Sequence, residues 1–164
     1  MKNLIIGLFL FGATSPLFAQ IIKLPEVEIT AVNYKYLNAV DSEDLALDVK
    51  LLQEKVAMYD IKNSDLYSDE YNLYNVDFFI PDGKILAAYD KDGKILRTIE
   101  KFNNIKLPKV ILESIYNRFP GWTIAKNVYS VTYNENNNKK VFKVTLENGD
   151  QRMRLKLNDE GNFL

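Results

Sequence analysis

Two segments of this chain share one pattern of turns and apolar positions, and this pattern most limits the folds that the chain can adopt. Residues 74–96 align without a gap with residues 142–164, each as a strand, a tight turn, a second strand and a second turn. The first turns, Pro81-Asp82-Gly83 and Asn148-Gly149-Asp150, have the composition of hairpin turns. The alignment therefore predicts two antiparallel hairpins.

A helix is predicted ahead of each hairpin. Residues 47–59 and residues 107–121 both place apolar side chains at helical spacing along one side. Asp48 is the expected N-cap of the first helix, and Pro108 suits the first turn of the second. Pro120 and Gly121 are expected to end the second helix, since neither residue continues a helix well.

A third strand is predicted between each helix and its hairpin. Residues 122–133 are rich in β-branched and aromatic side chains, and residues 67–73 form a weaker counterpart. The sequence thus predicts an α+β fold made of two helix–antiparallel-strand repeats, with each helix packed on the sheet. The first repeat is assigned to residues 41–102 and the second to residues 103–164.

Several short motifs follow one another in the second half of the chain. They are Tyr89 to Leu96 (YDKDGKIL), Leu107-Pro108, Phe119 to Trp122 (FPGW), Phe142 to Gly149 (FKVTLENG) and Asp159 to Leu164 (DEGNFL). In order and spacing they resemble the PepSY-like family, which is described as β-lactamase-inhibitor-like. The resemblance implies a tandem repeat with a degenerate first copy, in an exported protein that lacks catalytic residues and binds proteins or peptides on its sheet or loops. No functional residue carries over from the family position by position.

The N-terminus has the layout of a cleaved export signal. Lys2 provides a positive charge, residues 4–11 form an apolar run too short to span a bilayer, and Ala19 offers a small residue at the cut. We therefore expect a signal peptide over residues 1–19 and a periplasmic or extracellular mature protein. A retained membrane anchor is the alternative.

The mature chain is expected to begin with an extended segment over residues 20–40. Within it, residues 24–32 alternate apolar and acidic side chains, which favours an edge strand or a linker.

The composition excludes several classes of function. The chain has no His and no Cys, which removes Ser-His-Asp and Cys-His catalysis, His or Cys zinc sites and disulfides. A net charge of −1 argues against a nucleic-acid partner, and no phosphate-binding loop is present. The turn Asp90-Lys91-Asp92-Gly93 resembles the start of a calcium loop but lacks its later acidic ligands. We therefore expect no cofactor and no metal.

Strand alternation predicts which side chains point away from the helices. In the second repeat these are basic or polar, and in the first repeat several are apolar. The candidate partner-binding residues are Phe79, Leu86, Ala88, Arg152, Arg154 and Lys156. Two alternatives stay open for each set: the basic residues form an ordinary solvated face or an acidic-partner site, and the apolar residues are covered within the chain or by a partner.

These observations favour a non-enzymatic exported binding protein, acting on a protein or peptide in the cell envelope. The second alternative is a structural or accessory envelope protein that forms a homo-oligomer or a complex. The third is an enzyme that uses carboxylates, which would need two acidic side chains converging in a pocket. The identity of the partner and the oligomeric state are left open by the sequence.

Overall fold

A single antiparallel sheet carries the helices of this protein. The computed structural model describes residues 33–42 and 44–164. The helices and strands, in chain order, are α1 Tyr34–Val40, α2 Leu47–Ala57, β1 Leu73–Ile80, β2 Gly83–Asp90, β3 Ile95–Asn103, α3 Lys109–Arg118, β4 Thr123–Asn134, β5 Asn137–Asn148 and β6 Gln151–Leu157. The predicted α+β class is confirmed. The predicted signal peptide and the predicted strand at residues 24–32 lie outside the described residues.

The six strands lie in the sheet in their order along the chain, and every neighbouring pair is antiparallel. Both predicted hairpin turns are confirmed. In the first, Ile80 pairs with Gly83, and in the second Asn148 pairs with Gln151. A third tight turn joins β4 to β5, where Asn134 pairs with Asn137. Short connections explain four of the five neighbouring pairs, because a strand made directly after another pairs with it. The fifth pair, β3 and β4, is joined by the longer segment that contains α3.

The apolar stripes of α2 and α3 are buried against one face of the sheet. Val49 and Val56 of α2, and Ile111 and Ile115 of α3, are fully buried in the core. On the sheet, alternate side chains such as those of Phe142, Val144 and Leu146 enter the same core. The helical and strand periodicities of the sequence therefore describe the two halves of one core.

Three local predictions are wrong. Residues 67–72 form turns instead of a strand, because the side chain of Tyr74 bonds back to the carbonyl oxygen of Ser68 at 2.6 Å and holds this stretch as a loop. Residues 34–40, predicted as extended, form α1, because Tyr36 and Val40 four residues apart are both buried against the core. The N-cap of α2 is Ala46, and Asp48 lies in the first turn, where its carboxylate accepts from the backbone N–H of Val49.

The boundary predicted between the two repeats lies inside the sheet. Strands β3 and β4, one from each predicted repeat, pair over seven residue positions from Arg97 to Asn103. The strands of the described chain therefore form one continuous sheet, and the tandem repeat stays a prediction.

A buried carboxyl group lies between the helices and the centre of the sheet. Glu100 of β3 is 1% exposed and accepts hydrogen bonds from Tyr36 Oη, Gln53 Nε2 and Thr98 Oγ1, each at 2.8 Å. Burial raises the pKa of Glu100, and the three donors together with Lys140 oppose this increase. Because the donors come from α1, α2 and β3, this network ties both helices to the sheet.

Candidate functional site

The face of the sheet opposite the helices carries the candidate residues. We call it the outward face. Register places Asp77, Leu86, Ile99 and Thr132 in one row across β1 to β4 on this face. Phe79, near the first hairpin turn, is 65% exposed and Ile99 is 51% exposed. Leu86, on the strand between them, pairs with Ile99 and is partly exposed. Large apolar side chains grouped at this exposure on a sheet are typical of contact surfaces.

Charge on the outward face is strongly one-sided. Register places nine basic and three acidic side chains there, although the whole chain has a net charge of −1. The basic residues are Lys84, Arg97, Lys101, Lys126, Lys139, Lys143, Arg152, Arg154 and Lys156. The acidic residues are Asp77, Asp90 and Glu147. Segregated charge of this size creates a positive potential that attracts acidic groups.

The structure places all six candidate partner-binding residues on the outward face, as strand alternation predicted. Their exposure differs. Phe79, Arg152, Arg154 and Lys156 are exposed, and Leu86 is partly exposed. Ala88 is 2% exposed, so at this position the structure agrees with the alternative that the apolar side chain is covered within the chain. Its methyl group is short and lies between the longer side chains of its cross-strand neighbours, Asn75 and Arg97, which leave little of it accessible.

Sequence reasoning missed Ile99, which extends the exposed apolar patch from β2 onto β3. Ile99 lies directly opposite Leu86. The alternation of Arg97, Ile99 and Lys101 in β3 was the available signal, since residues two apart share a face of a strand. The parity of β3 relative to β2 could be assigned only once the register was known.

Two pairs of lysines face each other directly across neighbouring strands. Lys84 pairs with Lys101 between β2 and β3, and Lys143 pairs with Lys156 between β5 and β6. Like charges directly opposite each other destabilise an antiparallel pair. Repulsion within these two lysine pairs therefore lowers the stability of the folded protein.

Replacing one lysine of such a pair by an acid should stabilise the protein. We expect Lys143→Glu to raise the free energy of unfolding by a few tenths of a kcal/mol at low salt, because the introduced carboxylate would attract the facing Lys156 instead of repelling it. Urea unfolding at low salt measures this gain. The same comparison at ~1 M salt should show it shrink, since screening weakens exposed charge pairs. A Lys143→Glu protein that is no more stable than wild type at low salt would contradict the repulsion.

A second concave region lies between α1 and α2, with a volume of about 340 Å³. Asp41 and Glu54 both line it, and a carboxylate-based enzyme would need two acidic side chains in one pocket. Asp41 and Glu54 are both exposed, and Asp41 forms an ion pair with Lys50 at 3.3 Å. A general-acid carboxyl group is typically buried among apolar side chains, an environment that these two residues lack.

The carboxylate of Asp90 is hydrogen-bonded within its own turn. Asp90 Oδ1 accepts hydrogen bonds from the backbone N–H groups of Asp92 and Lys94, both at 2.9 Å. Asp92 forms an ion pair with Lys62 at 3.2 Å. Within residues 33–42 and 44–164, no group of three acidic side chains is placed to hold a metal ion. Over the same residues, the helices are too short or too polar to cross a membrane.

The fold and the face define a class: an α+β protein in which three helices cover one side of a six-stranded antiparallel meander, while the other side is open and basic in the described chain. No protein-family model and no curated protein matches the chain.

Among solved structures, the chain is similar to three proteins from Bacteroides. A DUF2874 family protein from Bacteroides uniformis has 10% identity and a TM-score of 0.36, over 60% of this chain and 71% of that one. A BLIP-like protein from Bacteroides fragilis has 22% identity and a TM-score of 0.34, over 59% and 68%. A DUF2874 family protein from Bacteroides ovatus has 10% identity and a TM-score of 0.35, over 59% and 70%. Likenesses of this size assign neither a family nor a function.

Proposed function

We propose that this chain is a non-enzymatic exported binding protein that binds a protein or peptide partner in the cell envelope through the outward face. The single observation that carries the proposal is the combination of exposed apolar side chains and one-sided charge on that face. Phe79, Leu86 and Ile99 supply the apolar contact, and nine basic side chains surround or extend it. Contact surfaces commonly join an apolar centre to a charged rim in this way.

Export is proposed from the N-terminal sequence, whose charged, apolar and small-residue regions follow the order of a signal peptide. The inhibitor-like character is proposed from the sequence resemblance to the PepSY-like family. The tandem repeat is proposed from the sequence alignment of residues 74–96 with residues 142–164, which matches β1 to β5. The element order does not support this pairing, since counting the strands after α2 and α3 would match β1 to β4 instead.

The test is a capture experiment followed by a direct binding measurement. Tagged mature protein is recovered from the envelope fraction of its own cells, where N-terminal sequencing should begin near residue 20. A captured protein is then purified, and its affinity is measured by calorimetry for wild type and for Phe79→Lys/Leu86→Lys. We expect the double variant to lose at least about tenfold in affinity, because buried apolar contacts in an interface centre cannot accommodate two charges.

The matched control is Leu51→Lys/Met58→Lys, which places the same two charges at exposed apolar positions of the α2 region, 54% and 45% exposed. This variant should bind as wild type does. Phe79→Lys alone should leave the unfolding free energy within about 0.5 kcal/mol, since the side chain is largely exposed. Equal affinity of both double variants would contradict the proposed face. Concentration-dependent association of the purified protein, lost in the Phe79 variant, would favour a homo-oligomer instead.

A further inference from the structure

Four basic side chains surround a depression on the outward face near β6. The depression has a volume of about 290 Å³, and its lining includes Lys126, Lys143, Arg154 and Lys156 together with Val128 and Thr145. Register explains the grouping, since one row across the strands joins Lys126, Thr145 and Arg154, and the next joins Val128, Lys143 and Lys156. Neighbouring rows and strands are a few ångströms apart, so the four charges share one small volume.

These four charges lack acidic partners in the described part of the chain. None of them forms an ion pair there, whereas Arg152, a neighbouring basic residue on β6, donates a hydrogen bond from its Nε to Glu147 at 2.8 Å. Lys143 and Lys156 also repel each other across β5 and β6. An anionic ligand placed over the depression would remove this repulsion and gain charge-assisted hydrogen bonds.

The spacing of the charges fits an extended chain. Arg154 and Lys156 lie two residues apart on β6, so their side chains repeat with the period of a strand. Carboxylates on alternate residues of an extended peptide repeat at the same distance. Val128 and Thr145 line the depression together with the charged residues. A recess admits the side chains of a peptide more readily than it matches a flat membrane surface.

We propose that Lys126, Lys143, Arg154 and Lys156 form a docking site for an acidic, extended segment of a protein partner. The proposal rests on the binding function proposed above and adds the chemistry of what is bound. The apolar patch at Phe79 and this four-cation site then contact different parts of the same partner.

The test uses a fluorescein-labelled octa-glutamate peptide and fluorescence anisotropy, at ~50 mM and ~300 mM salt. We expect binding that weakens strongly with salt, and a loss of at least about tenfold in affinity for Lys143→Gln/Lys156→Gln. The matched control, Lys55→Gln/Lys106→Gln, removes two exposed charges outside the sheet's outward face and should bind as wild type does. Equal affinity of the two variants would overturn the docking site.

A second arm separates a peptide from a membrane. Vesicles of phosphatidylcholine with phosphatidylglycerol are sedimented with each protein. Sedimentation that depends on Lys143 and Lys156, without binding of the glutamate peptide, would overturn the proposal in favour of a lipid surface. Peptide binding without sedimentation supports it.

The captured partner distinguishes failure of this site from failure of the binding function. A partner that binds Lys143→Gln/Lys156→Gln as tightly as wild type, but not Phe79→Lys/Leu86→Lys, would overturn the acidic docking site and leave the binding function standing. Binding of the glutamate peptide at the cluster, with no partner depending on either set of residues, would support the anion site and contradict the binding function.

Discussion

Glu100→Leu is expected to lower the free energy of unfolding by about 3 kcal/mol, because it leaves three buried donors without an acceptor. Tyr36 Oη, Gln53 Nε2 and Thr98 Oγ1 all donate to the Glu100 carboxyl group, and all four residues are buried. Leucine fills a similar volume, so the loss reports hydrogen bonding more than packing. Urea unfolding followed by circular dichroism measures it.

Glu100→Gln is the matched control. Its side-chain oxygen can still accept from Tyr36 and Thr98, so its cost should be roughly 1 kcal/mol. In a Glu100→Leu background, adding Tyr36→Phe should recover part of the lost stability, since it removes one of the orphaned donors. A Glu100→Leu protein as stable as wild type would show that the network contributes nothing to folding.

The same carboxyl group predicts how stability depends on pH. Burial raises the pKa of Glu100 above its ordinary value of 4.5 in the folded state, so the folded protein holds this proton more tightly than the unfolded chain does. The stability that this provides is fully present below the unfolded-chain pKa and is lost as pH rises through the raised pKa. Because the chain has no His, few other groups titrate just above that range. Stability should therefore fall with rising pH more in wild type than in Glu100→Gln.

Gly161→Ala is expected to lower the free energy of unfolding by about 3 kcal/mol, by combining backbone strain with a steric clash. Gly161 follows the turn after β6 with φ of +83°, a conformation that is costly for alanine. A Cβ at this position would lie 2.5 Å from Ser114 Oγ and 3.1 Å from the carbonyl oxygen of Val110, both on α3. The absence of a side chain therefore lets the turn pack directly on the helix.

Gly121→Ala separates the two contributions. Gly121 has nearly the same φ, +81°, but a Cβ there would meet nothing within 4 Å, so only the backbone cost of about 1–2 kcal/mol applies. Ser114→Ala, combined with Gly161→Ala, removes the closest clashing atom and should restore part of the stability. Equal losses for Gly161→Ala and Gly121→Ala would mean that the contact with α3 is accommodated without cost.

Local patterns predicted most of the elements correctly. Periodic apolar residues located α2 and α3, and turn residues located both predicted hairpins, because these features depend on neighbours within a few positions. The predictions for residues 67–72 and for the segment that forms α1 were wrong for the opposite reason. The loop is held by the bond from Tyr74 Oη to Ser68, and α1 by burial of Tyr36 against β3 and β4, so distant contacts override weak local preferences there.

For the outward face, too, some features could be predicted from the local sequence and others could not. Alternation within β6 was enough to place Arg152, Arg154 and Lys156 on one side, since side chains alternate strictly along a strand. The facing of Lys143 and Lys156, and of Leu86 and Ile99, depends on register between strands, which pairs residues far apart in sequence. The burial of Ala88 likewise depends on its cross-strand neighbours.

Local sequence patterns were thus sufficient to predict the α+β class, the positions of the main helices and hairpins, and the alternation of side chains within a strand. Three features are seen only in the folded chain: six strands form one sheet, nine basic side chains share one of its faces, and Glu100 is buried without a direct basic partner in the described chain. These features differ in the distance over which they are determined, because secondary structure depends on neighbours along the chain, whereas register, burial and summed charge arise only when distant segments pack together.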